Sequence, residues 1–188
     1  MMGNSGQAGR LCMRNMLMLT VFALSLIVSM PSLAATDKAD LLVSMKILPL
    51  LAKKITGPTS FAIIYNPADT GSSEEAKGIK AILEGNFETP GNIKLISVLV
   101  PVNNLGLIAD SRMAILTSGL KDYYEEISKI SIGKNILTMS TDLACVRAGK
   151  CVIGIVSKPM VDIYYSKAAA DTANIVFSQI FTLLAKQM

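Results

Sequence analysis

Ser60-Phe-Ala-Ile-Ile-Tyr65 runs into Asn66-Pro-Ala-Asp-Thr-Gly-Ser-Ser73 and then Glu74-Glu-Ala-Lys-Gly-Ile-Lys-Ala-Ile-Leu-Glu84. The first six residues form a short apolar run of strand type. The next eight are a dense cluster of turn formers. Ser72-x-x-Glu75 has the form of a capping box, opening a helix that reaches about Glu84. Helical spacing places Ala76, Ile79, Ala81 and Ile82 on its core face. Strand, turn and helix in succession are the unit of an α/β fold.

Reading outward, the unit recurs. Asp37 to Lys54 reads as a helix with Leu41, Leu42, Met45, Leu48, Leu51 and Ala52 on one face, and Pro49 should kink or split it. Ile93 to Val102 is a strand, and so is Met113-Ala-Ile-Leu-Thr117. Lys121 to Ile130 is a helix, Asn135 to Met139 a strand, and Thr141 to Arg147 a short helical turn. Cys151-Val-Ile-Gly-Ile-Val156 and Val161-Asp-Ile-Tyr-Tyr165 are strands joined by Ser157-Lys-Pro-Met160, a connector short enough for a hairpin. Helix returns at Lys167 to Ala173 and at Phe177 to Lys186. The expected fold is a three-layer α/β sandwich with a mainly parallel sheet, right-handed crossovers and a C-terminal antiparallel hairpin at its edge.

The N-terminus is different in kind. Arg10 and Arg14 precede the apolar run Met16 to Met30, Pro31 breaks it, and Ser32-Leu-Ala34 fits a small-x-small cleavage pattern. The run is shorter than the ~20 residues of a spanning helix. Residues 1–34 are therefore expected to be a signal peptide cleaved after Ala34 or Ala35, with Met13 as an alternative start and residues 35–188 as one exported domain. No cysteine stands at the cleavage site, which argues against a lipid anchor. The formal charge of +4 falls by two once Arg10 and Arg14 leave. No dense basic patch remains and the aromatics are only Tyr and Phe, which argues against nucleic acid as a partner.

Three cysteines are present. With Cys12 excised, Cys145 and Cys151 remain, and an even count in an exported chain favours a disulfide between them. Two reduced structural thiols are the alternative. A redox pair would more usually be Cys-x-x-Cys. A metal site finds no histidine to assist the two thiols, so neither metal nor cofactor is expected.

Ligands in an open parallel sheet bind at the carboxyl ends of strands. Asn66 to Ser73 (with Asn66, Asp69 and Ser72), Ser118-Gly119, and Ser140-Thr141-Asp142 should lie there. Their backbone N–H groups could hold a small polar or anionic molecule. The competing reading is that Ser72 and Ser118 cap helices and Asn66-Pro67 turns the chain. Catalytic patterns are absent. The chain lacks histidine, a Gly-x-Ser-x-Gly elbow, a phosphate-binding loop and a complete dinucleotide fingerprint. Glu125-Glu126 reads as a solvated helix face and Asp162 as an outward strand residue, so no enzyme is expected.

The C-terminal part resembles the YfiR family of small exported proteins of Gram-negative bacteria. The resemblance is carried by Ile136-Leu-Thr-Met-Ser140, Cys145-Val-Arg-Ala-Gly-Lys-Cys-Val-Ile-Gly-Ile155, Val161-Asp-Ile-Tyr-Tyr165, Lys167-Ala-Ala-Ala170 and Phe177-Ser-Gln-Ile-Phe181 with Leu183 and Leu184. It covers residues 134–188 well and 38–117 more loosely. Ser166-Lys167 stands where the family often has Asn. The resemblance implies a periplasmic regulator with Cys145–Cys151 as the family's C-terminal disulfide, supporting folding and redox sensing. Its implied partner is the periplasmic domain of an inner-membrane diguanylate cyclase or sensor kinase, held inactive so that cyclic-di-GMP and biofilm formation stay low. An outer-membrane-associated protein could sequester it, and a homodimer is a further expected assembly. A regulator should expose an apolar patch on a terminal helix, with the Met and Leu residues of 41–51 as candidates. The other reading is a periplasmic small-molecule carrier or sensor, which should show a cleft with converging polar groups.

Overall fold

Strands that are apolar on both faces need helices above and below them. The computed structural model describes residues 35–85, 87–90 and 93–188. The expected signal segment, with Cys12 and Met13, lies outside the described residues. Strands β1 (Thr59–Tyr65), β2 (Leu95–Pro101), β3 (Met113–Leu116), β4 (Leu137–Ser140), β5 (Ile153–Val156), β6 (Asp162–Tyr165) and β7 (Lys186–Gln187) form one sheet in the order β2-β1-β3-β4-β5-β6-β7. The first five are parallel to one another, and β5–β6 is the antiparallel hairpin. The α/β class, the parallel core and the hairpin are those expected.

Alternation along each strand divides the core in two. Phe61 and Ile63 of β1, in register with Met113 and Ile115 of β3, face one side. That side is covered by α1 (Lys38–Ile47), α2 (Thr70–Glu84), α5 (Lys167–Thr172) and α6 (Gln179–Leu184), through Leu41, Met45, Ile79, Ala170 and Phe181. Ala62 and Ile64, with Ala114 and Leu116, face the other side. There α3 (Tyr124–Lys134), α4 (Leu143–Arg147) and the 3-10 segment Val102–Asp110 contribute Ile127, Val146, Leu105 and Ile108. Each fully buried Ile or Phe is worth about 1.5–3 kcal/mol. Gly154 of β5 is a close-approach point: a Cβ there would lie 2.6 Å from Leu143 Cδ2 and 2.9 Å from Val146 Cγ2.

Several boundaries differ from the sequence reading. The first helix stops at Ile47, and Leu48–Leu50 tightens into a 3-10 turn around Pro49. Proline has no N–H for the helical ladder, and its ring clashes with the preceding turn. Leu51 is extended and pairs with Phe177, so the helix does not reach Lys54. Leu42 and Ala52 are exposed, whereas Leu41, Met45, Leu48 and Leu51 are buried. In α2 the buried stripe is Ser72, Glu75, Ala76, Ile79 and Leu83, leaving Ala81 in solvent.

The last helix ends at Leu184, and the chain then extends as β7 along β6. The hairpin is therefore not the outer edge of the sheet. β7 takes up the polar groups that β6 would otherwise leave open: the Met188 N–H donates to Tyr165 O at 2.9 Å, and Lys186 pairs with Asp162 at 2.7 Å. Phe177, stacked on Phe181 at 4.0 Å between centroids, and Tyr165, edge-on to Phe181 at 5.4 Å, anchor this C-terminal segment.

Cys145 of α4 and Cys151, just before β5, are joined by a disulfide, and both are fully buried. This resolves the choice between bonded and reduced thiols. The loop between them turns at Gly149, whose φ is +66°. Among the described residues no helix is long and apolar enough to cross a membrane.

Alkylation of the folded protein should find no free thiol at Cys145 or Cys151. Because the bridge closes a short loop with a separation of 6 residues, reduction should lower stability by about 2 kcal/mol and leave the protein folded, as read by urea denaturation.

Candidate functional site

Parallel strands end together. Ile64, Leu116 and Ser140 lie in register at the carboxyl ends of β1, β3 and β4. The three polar segments singled out in the sequence follow directly, so Asn66–Ser73, Ser118-Gly119 and Ser140–Asp142 meet at one end of the sheet.

The first segment turns as expected. The Asp69 N–H donates to Asn66 O at 3.1 Å, and the Ala68 N–H to Asn66 Oδ1 at 3.0 Å. The helix then starts three residues earlier than the Ser72 box predicts. Asp69 is the N-cap of α2, its Oδ1 accepting from the Ser72 N–H at 3.1 Å. Ser72 is released from capping and is fully buried. Its hydroxyl accepts from the Asn66 N–H at 2.9 Å and meets Thr117 Oγ1 at 2.7 Å, and Thr117 in turn donates to Ile64 O at 3.0 Å. Ser118 does not cap a helix either: the turn Lys121–Tyr123 has no side-chain cap.

What holds Ser118 is Glu75. Oε2 of Glu75 accepts from the Ser118 N–H at 2.8 Å and from Ser118 Oγ at 2.7 Å, while Oε1 accepts from the Thr36 N–H at 2.9 Å. Glu75 is only 7% exposed. A carboxylate taken out of water survives through charge-assisted hydrogen bonds of this kind. Sequence reasoning takes Glu75 as half of a local box and places Thr117 only as the end of a strand. The signal for Glu75 was its position on the buried stripe of α2, four residues before Ile79, where an acid needs partners.

Thr36 also links to the third segment, its hydroxyl lying 3.3 Å from that of Thr141. Ser140 is buried and accepts from the Asp142 N–H at 3.0 Å. Asp142 caps α4 through the Ala144 N–H at 2.8 Å and accepts from the Tyr124 hydroxyl at 2.5 Å. Burial, and then the Asp142 carboxylate, push the Tyr124 phenol well above its ordinary range. Gly119, at φ +76°, lies under Asp69, and a Cβ there would come within 2.6 Å of Asp69 Oδ2.

The N–H groups of Ser72, Ser118 and Thr36 thus already donate to the chain's own Asp69 and Glu75. Among the described residues, the rim left facing solvent is made of half-buried Asn66, Asp69, Ser118 and Thr141, with Gly119 open between them. It is rich in acceptor oxygens and suits a ligand that donates hydrogen bonds.

No protein-family model matches the chain. No curated protein matches it either. Similar solved structures are found. A conserved domain protein from Vibrio cholerae matches at TM-score 0.58 and 13% identity, over 82% of this chain and 61% of that one. The ligand-free, open form of a substrate-binding protein with adhesive properties from Clostridium difficile matches at TM-score 0.57 and 10% identity, over 82% and 60%. An ABC domain in complex with L-Trp from Streptococcus pneumonia matches at TM-score 0.56 and 11% identity, over 79% and 61%. This chain therefore spans about three-fifths of the length of each. At these identities the likeness is one of fold.

Glu75→Ala should destabilise the protein by roughly 2–3 kcal/mol, because three donors lose a charged acceptor in a buried setting. Urea denaturation of the purified variant measures it. A raised phenol pKa means that the folded state keeps a proton which the unfolded chain releases as pH rises above about 10. Tyr124 should accordingly make stability fall in that window. Tyr124→Phe should flatten the fall and remove a late-ionising phenol from the ultraviolet titration.

Proposed function

We propose that this chain is an exported binding module that captures a small, donor-bearing solute at the carboxyl end of its sheet. The observation that carries the reading is the knitted rim: loops after three strands are fixed by buried hydrogen bonds while Asp69 and Asn66 stay only half-buried. Rigid placement of a few polar groups on a scaffold is what small-molecule sites require. Fold likeness to substrate-binding proteins and the leader-like N-terminus both support this. One of the similar structures is complexed with L-Trp, and the ammonium of an α-amino acid suits a carboxylate such as Asp69.

The test is thermal shift with a panel of common L-amino acids, with native mass spectrometry of protein recovered from an exporting host. At least one amino acid should raise the Tm in a dose-dependent way. Asp69→Asn keeps an efficient helix cap but should weaken binding roughly tenfold or more. If no panel member shifts the Tm and the recovered protein carries no small molecule, the reading fails.

A second reading follows the YfiR resemblance, in which the chain restrains the periplasmic domain of a diguanylate cyclase or sensor kinase. One observation favours it. Ile180, Leu183 and Leu184 of α6 stand in solvent, Leu183 at 86% exposure. A terminal helix was the expected place for such a patch. The earlier candidates in residues 41–51 are mostly core: Leu41, Met45, Leu48 and Leu51 are buried. Cross-linking in membranes should recover such a signalling protein with the natural chain and lose it with Leu183→Glu. Equal recovery by both, or by neither, would sink this reading.

A further inference from the structure

At the opposite end of the sheet the structure holds a cleft of about 510 Å³. The amino ends of β1, β3 and β4 form its base, at Thr59, Arg112 (just before β3) and Leu137. One wall is the extended segment after the Pro49 turn, with Lys53, Lys54, Ile55 and Thr56. The other carries Asn135, Asn174 and Ile175.

The walls are built rather than loosely apposed. The Ala52 N–H donates to Val176 O at 2.9 Å, and the Ser178 N–H to Leu50 O at 2.8 Å. Asn174 Nδ2 donates to Asn135 Oδ1 at 3.0 Å, and both asparagines adopt positive φ, 52° and 54°. The cleft also has one sign of charge. Lys53, Lys54 and Arg112 line it and no Asp or Glu does. None of the three joins an ion pair among the described residues, although five other lysines do. Like charges brought together in a concave site repel one another unless something neutralises them, and the walls focus their field on an incoming anion.

We propose that this amino-end cleft binds a small molecule carrying two or more anionic groups, of the phosphate-ester or polycarboxylate type. Arg112 supplies a planar fork for one group, and Lys53 and Lys54 supply point charges for another. The Asn135 and Asn174 amides and the Thr56 hydroxyl can meet the polar body between them. Leu51, Leu137 and Ile175 give the cleft its apolar part. Its volume lies within the ~300–1,000 Å³ range of small-molecule sites. The proposal does not depend on what the carboxyl-end rim binds, and either site can fail without the other.

The probes are pyrophosphate and citrate, titrated calorimetrically into the full exported chain at low and at physiological ionic strength. At least one should bind with submillimolar affinity that weakens as salt rises. Arg112→Gln and the double variant Lys53→Gln/Lys54→Gln should each weaken it by roughly tenfold or more, with ligand-free melting temperatures unchanged. Preference for pyrophosphate assigns the phosphate type, and preference for citrate the polycarboxylate type. Lys77→Gln/Lys129→Gln, which removes two exposed charges elsewhere, should leave binding intact. Equal weakening by that control, or no binding of either probe at millimolar concentration, would overturn the proposal.

Discussion

A sheet buried on both faces has only its two ends left for polar chemistry. Here β1 and β3 carry apolar side chains up and down, β4 carries Leu137 and Met139 on one face and buried Thr138 and Ser140 on the other, helices close both sides, and the backbone groups within the strands are paired. Water meets the middle of the sheet only where the strands begin and where they stop. Both candidate small-molecule sites lie at those ends, because the segments that enter and leave buried strands carry the polar residues that most of the strands cannot.

The two ends differ in charge, and the parallel arrangement is part of the reason. Each crossover helix starts near the carboxyl end of the preceding strand, so its positive N-terminal pole favours carboxylates there. Asp69 caps α2 and Asp142 caps α4. Glu75, within the second turn of α2, reaches across to Ser118 and Thr36. The amino end has no such demand for acids, and Lys53, Lys54 and Arg112 gather beside it. The sheet thus presents acceptor oxygens at one end and cations at the other.

How much of this was legible in the sequence depended on how local each signal was. The strands of the parallel core and the hairpin announce themselves by apolar runs between turn residues. Pro49 marks the end of α1 correctly, but the apolar residues beyond it imitate a longer helix, because Leu51 is buried through a strand-like pairing with Phe177 instead. Lys186-Gln187 gave no sign of being a strand, since β7 is held by backbone bonds to β6 and not by apolar side chains. Ser72 and Glu75 sit at capping-box spacing, yet each is spent on a distant residue, Thr117 in one case and Ser118 and Thr36 in the other. Lys53, Lys54 and Arg112 meet only through the topology, and no spacing rule connects them.

Glu75 also bears on what the carboxyl end can recognise. A buried carboxylate with three donors on it does the work that a bound anion would do at the end of a parallel sheet. It supplies the charge the strand-end amides attract, and it comes with the fold. On the proposed reading, a solute at the rim would meet Asp69, whose second oxygen lies over Gly119, in front of amides that are already occupied. An anionic solute would find repulsion there and no free N–H of Ser72 or Ser118 to offset it. A donor finds an acceptor held in place. In the proposed reading, Asp69 and Glu75 together would select between the two, and Glu75 would do its part without touching the ligand, as one charge held out of water.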